Sequence, residues 1–425
     1  MDPQNIELTA PSGPLKGTIN LPTSKSIANR YLILSALSEG KLTINHLSES
    51  DDTQILHQLL TNPPGDGVYD AHHAGTTSRF LLAYLALQPG TQVITGSDRL
   101  KTRPIKALAD ALTSMGANLT YLEKEGCQPI QVDSPSDNLA TEVTLSGGVS
   151  SQFITALLLN AASLPKGLTI HIDGEWISRP YIEMTLRILE DVGIQHTLTD
   201  TSITIQPQAI AETTLSVESD WSAASYFIAL VCARPGSEVI LPRLFQDSIQ
   251  GDSGILPLIG AYGCEYAFGE EGLRVRNTQS ADTDYPPMLE MNLEDTPDIF
   301  QTLATLHSIL GISCMYSGLS TLPGKETNRI TAMQAELQKG MTFLSKLPSR
   351  FTTKYEDDYY LQEGKASLTE TPTYHTYQDH RMAMSLALMS LIHPVKIEDP
   401  SVVTKSFPTY WDQLKTLGFE VREVS

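Results

Sequence analysis

Cysteine and long apolar runs are both scarce in this sequence of 425 residues. The cysteines Cys127, Cys232, Cys264 and Cys314 are scattered and form no CxxC pair, so neither a zinc site nor a disulfide framework is expected. No stretch reaches the ~18 apolar residues that a membrane span needs. The N-terminal residues also lack the basic and apolar segments of a signal peptide. We therefore expect a cytoplasmic protein with reduced thiols, no metal site and no membrane partner.

Positive charge is also in deficit. The chain has 29 Lys and Arg residues against 49 Asp and Glu residues, which gives a formal net charge of -20. Such a surface repels nucleic acid and anionic membranes, so nucleic acid is not expected as a partner. An anionic ligand would need a local cluster of Lys and Arg. The length favours two domains over one core.

A short pattern recurs along the chain: a helical segment that ends in Leu and Gly, followed by an alternating strand. By subtraction of their numbers, successive glycines lie 77, 70, 77 and 78 residues apart. Each glycine is predicted to end a helix in the left-handed conformation. The spacing indicates a repeated α/β unit of roughly 75 residues, although Leu-Gly endings are common enough for chance to be an alternative. The five glycines are Gly116, Gly193, Gly263, Gly340 and Gly418.

A sixth copy is predicted near the N-terminus, where a helical segment over residues 55–60 is followed by Pro63-Pro64-Gly65. The next motif begins soon afterwards. We therefore predict that this unit is shortened and that the Pro-Pro-Gly turn replaces a hairpin.

Several predicted helices begin with small polar residues and carry a cation in the first turn. Helix starts attract anions through unpaired N–H groups and the helix dipole. A cation placed there opposes the dipole, which indicates a compensating phosphate or carboxylate. For any single start, simple capping is the alternative. These cations are Lys25, Arg30, Arg79, Arg179 and Arg381.

Spacing places some of these groups on shared helix faces. Ser26 and Arg30 are separated by four residues, and Thr76 and Arg79 by three. Lys325, Glu326 and Arg329 form a further compact patch, for which a solvated ion-pair face is the alternative when the patch is taken alone.

Together these segments resemble the EPSP synthase family of enolpyruvyl transferases. The similarity runs in order from about residue 15 to 415 and comprises nine motifs. They are Leu21-Pro-Thr-Ser-Lys25-Ser26 with Arg30, Ala74-Gly75-Thr76 with Arg79, Lys101-Thr-Arg103-Pro104-Ile105, Val149-Ser150-Ser151-Gln152-Phe153, Ser178-Arg-Pro180-Tyr181, Met291-Asn292 with Pro297-Asp298, Lys325-Glu326 with Arg329, Asp379-His380-Arg381-Met382-Ala383-Met384, and Thr404-Lys405-Ser406-Phe407-Pro408.

The resemblance implies an α/β fold of two lobes, an inside-out α/β barrel built from six β-α-β-α-β-β units, three in each lobe. One lobe would comprise residues 1–23 and 219–425, and the other residues 24–218. The active site would lie in the cleft between them, and the protein would be a monomer.

The resemblance also implies the ligands and their contacts. The substrates would be shikimate-3-phosphate and phosphoenolpyruvate, in the pathway to chorismate and the aromatic amino acids. Contacts to shikimate-3-phosphate would come from Lys25, Ser26, Arg30, Ser150, Ser151, Gln152, Ser178, Tyr181, Asp298 and Lys325. Contacts to phosphoenolpyruvate would come from Lys25, Gly75, Arg103, Gln152, Arg329, Arg381 and Lys405.

The implied reaction adds the 5-hydroxyl of shikimate-3-phosphate to C2 of phosphoenolpyruvate, while C3 gains a proton. The resulting tetrahedral ketal then loses phosphate and a proton. Asp298 would serve as the base and Glu326 as the acid, assisted by Lys405 or Lys25. No cofactor is needed, because phosphate is a good leaving group and cations stabilise it.

Two positions depart from the family pattern, which usually has Asn where this chain has His73 and Thr321. These departures bear on local geometry and affinity more than on the reaction.

Two rival functions remain open. A UDP-N-acetylglucosamine enolpyruvyl transferase carries a catalytic Cys near the Arg-Pro region. Residues 97–106 contain none, and Cys127 lies beyond the next helix and strand. A catalytically dead anion-binding relative is the second rival, and the joint presence of Asp298, Glu326 and Lys405 argues against it.

Overall fold

The computed structural model describes residues 5–279, 285–348 and 358–424. The chain divides into two compact units, one formed by Met1–Pro22 with Ser219–Ser425 and the other by Thr23–Glu218. The lobe boundaries predicted from the sequence differ from this division by one residue.

Twelve α-helices are present in the described ranges. They are α1 (Lys25–Leu37), α2 (Asp51–Thr61), α3 (Gly75–Ala86), α4 (Asp98–Lys101), α5 (Lys106–Met115), α6 (Ser151–Ala161), α7 (Arg179–Asp191), α8 (Trp221–Ala233), α9 (Phe300–Leu310), α10 (Arg329–Gln338), α11 (His380–Leu386) and α12 (Tyr410–Thr416). Further 3-10 segments cover Gly251–Tyr262, Pro297–Ile299, Leu322–Gly324, Ala387–Leu391 and Pro400–Lys405. Among the described residues, no helix has the length and apolarity needed to cross a membrane.

The same described ranges contain 22 strands. They are β1 (Asn5–Thr9), β2 (Lys16–Thr18), β3 (Leu42–Asn45), β4 (Val68–Asp70), β5 (Gln92–Thr95), β6 (Asn118–Tyr121), β7 (Ile130–Asp133), β8 (Glu142–Ser146), β9 (Leu168–Asp173), β10 (His196–Leu198), β11 (Ser202–Ile205), β12 (Thr213–Ser216), β13 (Glu238–Leu241), β14 (Cys264–Gly269), β15 (Gly272–Asn277), β16 (Met288–Asn292), β17 (Ser313–Ser317), β18 (Phe343–Lys346), β19 (Tyr360–Glu363), β20 (Thr373–Tyr374), β21 (Val395–Ile397) and β22 (Glu420–Val424).

The strands form six small sheets, three in each unit. In the sheet ordered β4-β5-β7-β6, β4 and β5 are parallel, β5 and β7 antiparallel, and β7 and β6 antiparallel. Helix α3 connects the parallel pair, and α4 and α5 precede the hairpin. The element order is therefore β-α-β-α-β-β, as the family resemblance implied. The sheets β10-β11-β9-β8 and β16-β17-β19-β18 follow the same pattern.

Two four-stranded sheets complete this pattern with strands from the start of the chain. Strand β2 pairs in parallel with β13, and β1 lies between β21 and β22. The N-terminal residues therefore belong to the same unit as the second half of the chain.

The predicted shortened copy is the sheet of β12 and β3, which has two parallel strands. Helix α2 follows β3, and the chain then passes through Pro63-Pro64-Gly65 directly to β4 of the next sheet. The last two strands that complete each of the other five sheets are missing from this part of the described chain.

Four of the five predicted left-handed glycines have positive φ, and the prediction is wrong for Gly340. Helix α10 ends before it, and the left-handed residue is Met341, with φ of 63°. A Cβ on Gly340 would lie 2.9 Å from Met389 Cε, so this glycine makes room for a neighbouring side chain. The four glycines with positive φ are Gly116, Gly193, Gly263 and Gly418.

The core of the unit that contains the second half of the chain forms around α8 and α9. Nearly all of α8 is buried, and all of α9 is. Both helices are therefore fixed by packing on nearly every side. The residues at or directly before their N-terminal ends are held in place by the same packing. Those ends hold Ser222 and Asp298.

Candidate active site

Arg30 is the most deeply placed cation of the unit Thr23–Glu218. It lies in α1, is 3% exposed, and donates to Thr185 Oγ1 (2.8 Å), Thr155 Oγ1 (3.4 Å) and the carbonyls of Ser26 (2.6 Å) and Tyr181 (3.1 Å). All these acceptors are neutral oxygens. Burial lowers the pKa of Arg30 to about 10, so it keeps its charge at neutral pH and can still attract an anion.

Lys25 opens the same helix, where Ser24 caps the backbone. Its Nζ lies 3.2 Å from Asp52 Oδ2, and the Asp52 side chain is 3% exposed. Asp52 is a partner that the sequence motifs did not reveal. The feature of the sequence that could have indicated Asp52 is the Ser-Asp-Asp start of α2, which places an acidic residue in a first helical turn.

The serines that begin α6 and α7 do not cap their helices. Neither Ser150 nor Ser178 makes a side-chain cap hydrogen bond. Ser178 also has a left-handed backbone, with φ of 56°, a conformation that costs energy for a residue with a side chain. The capping alternative therefore fails at both predicted ligand contacts. Ser151 is buried in the first turn of α6.

Gly75 begins α3 beside two guanidinium groups. A Cβ built on Gly75 would lie 2.5 Å from Arg103 Nη1 and 3.3 Å from Arg79 Nη1. Arg79 Nη1 donates to Gln152 Oε1, and Gln152 Nε2 donates to Thr76 Oγ1 at 3.0 Å. The motifs around residues 75, 103 and 152 thus lie close together within this unit.

Asp298 is the centre of a second set of predicted residues, in the other unit. Its Oδ1 lies 2.8 Å from Arg329 Nη1 and 3.3 Å from Lys325 Nζ, and its Oδ2 lies 2.9 Å from Arg381 Nη2. Burial by itself would raise the pKa of Asp298, but the three cations outweigh it and hold that pKa well below its ordinary range. Burial also lowers the pKa of Lys325, although Asp298 opposes that change.

Arg329 joins this carboxylate to two others. Its Nη2 lies 3.0 Å from Glu326 Oε2, and its Nε lies 2.8 Å from Asp379 Oδ2. Glu326 Oε1 in turn lies 2.6 Å from Lys405 Nζ. Arg329 is 1% exposed, and although burial opposes its charge, the acidic neighbours raise its pKa. Arg329 is buried and Lys325 and Glu326 are partly buried, so the alternative of a solvated ion-pair face is wrong.

Arg381 has partners that sequence reasoning missed. Its Nη2 donates to Ser222 Oγ at 3.2 Å, and that hydroxyl also contacts Asp252 Oδ2. Burial first, and then the charge of Asp298, raise the pKa of Asp252 to about 6. Asp252 lies in the 3-10 segment Gly251–Tyr262, where no pattern in the sequence marks it as part of a site.

Arg179 is a predicted anion-binding cation that lies elsewhere. It pairs with Glu183 at 2.8 Å, and both side chains are about half exposed. A surface pair of this kind compensates the charge without a ligand. The prediction from the first-turn pattern is therefore wrong for Arg179.

The two departures from the family motifs have different environments. His73 is exposed, whereas Thr321 Oγ1 is buried and has no hydrogen-bond partner among the described residues. In the described parts of the chain, no three His, Cys, Asp or Glu side chains are grouped to hold a metal.

Comparisons with known proteins agree with these motifs. The family model described as EPSP synthase (3-phosphoshikimate 1-carboxyvinyltransferase) matches residues 9–63 and 56–414. The 3-phosphoshikimate 1-carboxyvinyltransferase of Bacteroides fragilis is 38% identical over 419 residues, which cover 98% of each chain. The protein of the same name from Paraburkholderia phytofirmans is 34% identical and covers 95% of this chain and 96% of its own.

Solved structures support the fold. An EPSP synthase from Acinetobacter baumannii superposes with a TM-score of 0.73 at 20% identity, covering 98% of this chain and 99% of its own. The enolpyruvyl transferase NikO from Streptomyces tendae also gives 0.73, at 13% identity, with 100% and 99% covered. The predicted enolpyruvyl transferase fold is thus confirmed. The matches in sequence go further than the fold, and on their evidence this chain belongs to the EPSP synthase family.

Proposed function

We propose that this protein transfers the 1-carboxyvinyl group of phosphoenolpyruvate to the 5-hydroxyl of shikimate-3-phosphate and releases phosphate. Family membership supports this reaction, because the relatives named above carry the name of that transferase. The proposal gives the protein a place on the route to chorismate and the aromatic amino acids. It is proposed to act as a cytoplasmic monomer without a cofactor.

One observation carries the proposal. A single guanidinium, that of Arg329, holds both the proposed base Asp298 (2.8 Å) and the proposed acid Glu326 (3.0 Å). An addition–elimination at an enol needs one group that takes the proton of the attacking hydroxyl and another that protonates C3. Sharing one rigid, planar cation fixes the separation of the two carboxylates.

The proposal assigns one pair of substrates to the residue sets of both units. The cations around Arg30 and Lys25 would bind the phosphate of shikimate-3-phosphate, with hydroxyl contacts from Ser150, Ser151 and Ser178. The cations Arg103, Arg329 and Arg381 would bind the phosphate and carboxylate of phosphoenolpyruvate. Guanidinium groups suit both, since each can donate two parallel hydrogen bonds to an oxyanion. The remaining proposed contacts are Lys25 to both ligands, Ser26, Gln152, Tyr181, Asp298 and Lys325 to shikimate-3-phosphate, and Gly75, Gln152 and Lys405 to phosphoenolpyruvate.

The proton steps follow from the pairings. The hydroxyl oxygen attacks C2 as its proton passes to Asp298, and C3 receives a proton from Glu326. In the elimination, the C3 proton returns to Glu326, the C2–O bond to phosphate breaks, and the proton held by Asp298 passes to the departing phosphate. Lys405 Nζ, 2.6 Å from Glu326 Oε1, is the group that would supply the proton to the carboxylate.

The rival UDP-N-acetylglucosamine enolpyruvyl transferase finds no support in the cysteines. All four are buried and unpaired by disulfide, and burial raises the pKa of the Cys232 and Cys314 thiols. Cys127, the one nearest in sequence to the Arg-Pro region, is 5% exposed. A thiol in such a setting is a poor nucleophile.

The test is phosphate release from phosphoenolpyruvate by the purified protein. We expect release that depends on shikimate-3-phosphate and is absent with UDP-N-acetylglucosamine. Release with the nucleotide sugar alone would favour the rival. A folded protein that binds both substrates without turnover would support the catalytically dead relative.

A further inference from the structure

A strained turn lies directly before the Asp-His-Arg motif. Tyr377 and Gln378 have φ of 54° and 57°. Two consecutive residues with side chains in the left-handed region are unusual, because the Cβ of each crowds its own backbone. Such conformations persist only where the surroundings enforce them, and they occur often at functional sites. Asp379 follows immediately.

Glu336, near the end of α10, holds this turn. The residue is fully buried. Its carboxylate accepts hydrogen bonds from the His375 backbone N (3.0 Å) and from Tyr377 OH (2.7 Å). Lys339 completes its environment, with Nζ 2.5 Å from Glu336 Oε2 and 2.8 Å from the Thr373 carbonyl oxygen.

Helix α10 also contacts the other end of the turn. Arg329 and Glu336 are seven residues apart, so they lie two turns apart on one face of α10. Arg329 Nε donates to Asp379 Oδ2 at 2.8 Å. Residues 375–379 are therefore tied to α10 by a carboxylate at one end and a guanidinium at the other.

Asp379 connects the turn to the arginines of the candidate site. It is completely buried, and its Oδ1 accepts the Arg381 backbone N at 2.9 Å, which caps α11. Asp379 thus orients the side chain of Arg329 and fixes the start of the helix that carries Arg381. Both arginines belong to the proposed contacts with phosphoenolpyruvate.

We propose that Glu336 is a positioning residue for phosphoenolpyruvate: by holding the left-handed Tyr377–Gln378 turn, it places Asp379 and thereby Arg329 and Arg381. The inference rests on the proposed function for the identity of the ligand. Glu336 itself touches neither substrate in this scheme, and it acts on the site through Asp379 and the two arginines that Asp379 places.

The test compares Glu336→Gln with Gln334→Ala in the same helix. Gln334 donates to the Leu344 carbonyl at 2.9 Å and has no bond to the turn, so its variant serves as a control for lost helix contacts. For Glu336→Gln we expect KM for phosphoenolpyruvate to rise about tenfold, since misplacing a contact by a fraction of an ångström has effects of this order. The turnover number should also fall, because Arg329 holds the proposed base Asp298 and the proposed acid Glu326, whereas KM for shikimate-3-phosphate should change less than about threefold. Gln334→Ala should lower Tm and leave both KM values as in the wild type.

A second variant separates strain from stability. Glycine adopts positive φ without strain. Gln378→Gly should therefore let the turn keep its conformation with fewer stabilising contacts. Added to Glu336→Gln, it should lower KM for phosphoenolpyruvate back toward the wild-type value. Gln378→Gly alone should leave KM within about twofold and raise Tm.

Two outcomes would overturn the inference: a Glu336→Gln protein with unchanged KM for phosphoenolpyruvate, or equal rises in both KM values that Gln378→Gly does not reverse. If Glu336→Gln does not fold, Tyr377→Phe removes one of its hydrogen bonds, and KM for phosphoenolpyruvate should then rise about threefold. An unchanged KM in that variant counts against the proposal. Absence of turnover in the wild type would refute the proposed function instead, so the two failures are distinct.

Discussion

Replacing Gly75 with alanine should displace Arg103, one of the proposed phosphoenolpyruvate contacts. The added Cβ would lie 2.5 Å from Arg103 Nη1 and 3.1 Å from Arg103 Cζ. Carbon and nitrogen atoms that are not bonded need about 3.4 Å or more, so the guanidinium must move by roughly 1 Å. Arg103 Nε has no hydrogen-bond partner among the described residues. The arginine therefore moves at little cost to folding, and the damage falls on the ligand.

The magnitude follows from the contact that is lost. A hydrogen bond to a charged group contributes about 1.5–3 kcal/mol, and each 1.4 kcal/mol is a factor of ten. We therefore expect KM for phosphoenolpyruvate to rise about 10- to 100-fold. KM for shikimate-3-phosphate should change less than about threefold, because Thr185 and the Tyr181 carbonyl hold Arg30 independently of Gly75.

Steady-state kinetics with each substrate varied in turn measures both constants. Gly65→Ala is the matched control, since nothing lies within 4 Å of a Cβ built there and its φ is not in the left-handed region. It should leave both constants unchanged. Equal rises in both KM values for Gly75→Ala, or a fall in Tm that accounts for the lost activity, would refute a specific role of Gly75 in the pocket.

Three further predictions concern charged groups. Lys25→Met should weaken binding of both substrates by about 2–5 kcal/mol, and wild-type affinities in calorimetry, with an unchanged circular dichroism spectrum, would remove Lys25 from the site. Asp298→Ala should lower the turnover number ~100-fold or more, whereas wild-type turnover would leave Asp298 as a structural residue. Because burial and Asp298 raise the pKa of Asp252 to about 6 against the opposing charge of Arg381, its contribution to stability is present below about pH 4 and is lost as the pH rises through about 6. That difference corresponds to at most roughly 3 kcal/mol, so Asp252→Asn should raise Tm relative to the wild type by more at pH 8 than at pH 4.5; equal shifts at both pH values would contradict this assignment.

The repeat and the motifs could be predicted from the sequence because each depends on local rules. Glycine after a helix, a cation in a first turn and the order of motifs are readable within short windows. Gly340 shows where this fails. Its place in the repeat predicted a left-handed helix end, but contact with Met389, far along the chain, decides its role.

The partners of the cations could not be predicted for the same reason. Lys25 meets Asp52, and Arg381 meets Ser222, across separations of 27 and 159 residues by subtraction of their numbers. Such pairs depend on how helices pack, and no spacing rule within a helix reports them. The first-turn cations predicted an anion nearby, and at Lys25 the protein itself supplies one.

Arg30 differs from Arg329 and Arg381 in the groups that already contact its guanidinium, and this difference has a consequence for the proposed reaction. Arg30 is held by neutral oxygens, so a phosphate can pair with it without displacing a carboxylate. Arg329 and Arg381 are both paired with Asp298, so an anion that reaches them competes with that residue.

The competition bears on Asp298 as a base. While the cations hold its pKa well below the ordinary range, Asp298 is a weak base. A bound phosphate or carboxylate takes over part of the cations' charge, and its own negative charge opposes the carboxylate, so the pKa of Asp298 must rise. In the proposed reaction, the arrival of the anionic substrate would therefore make Asp298 a stronger base for the step in which the hydroxyl oxygen attacks phosphoenolpyruvate.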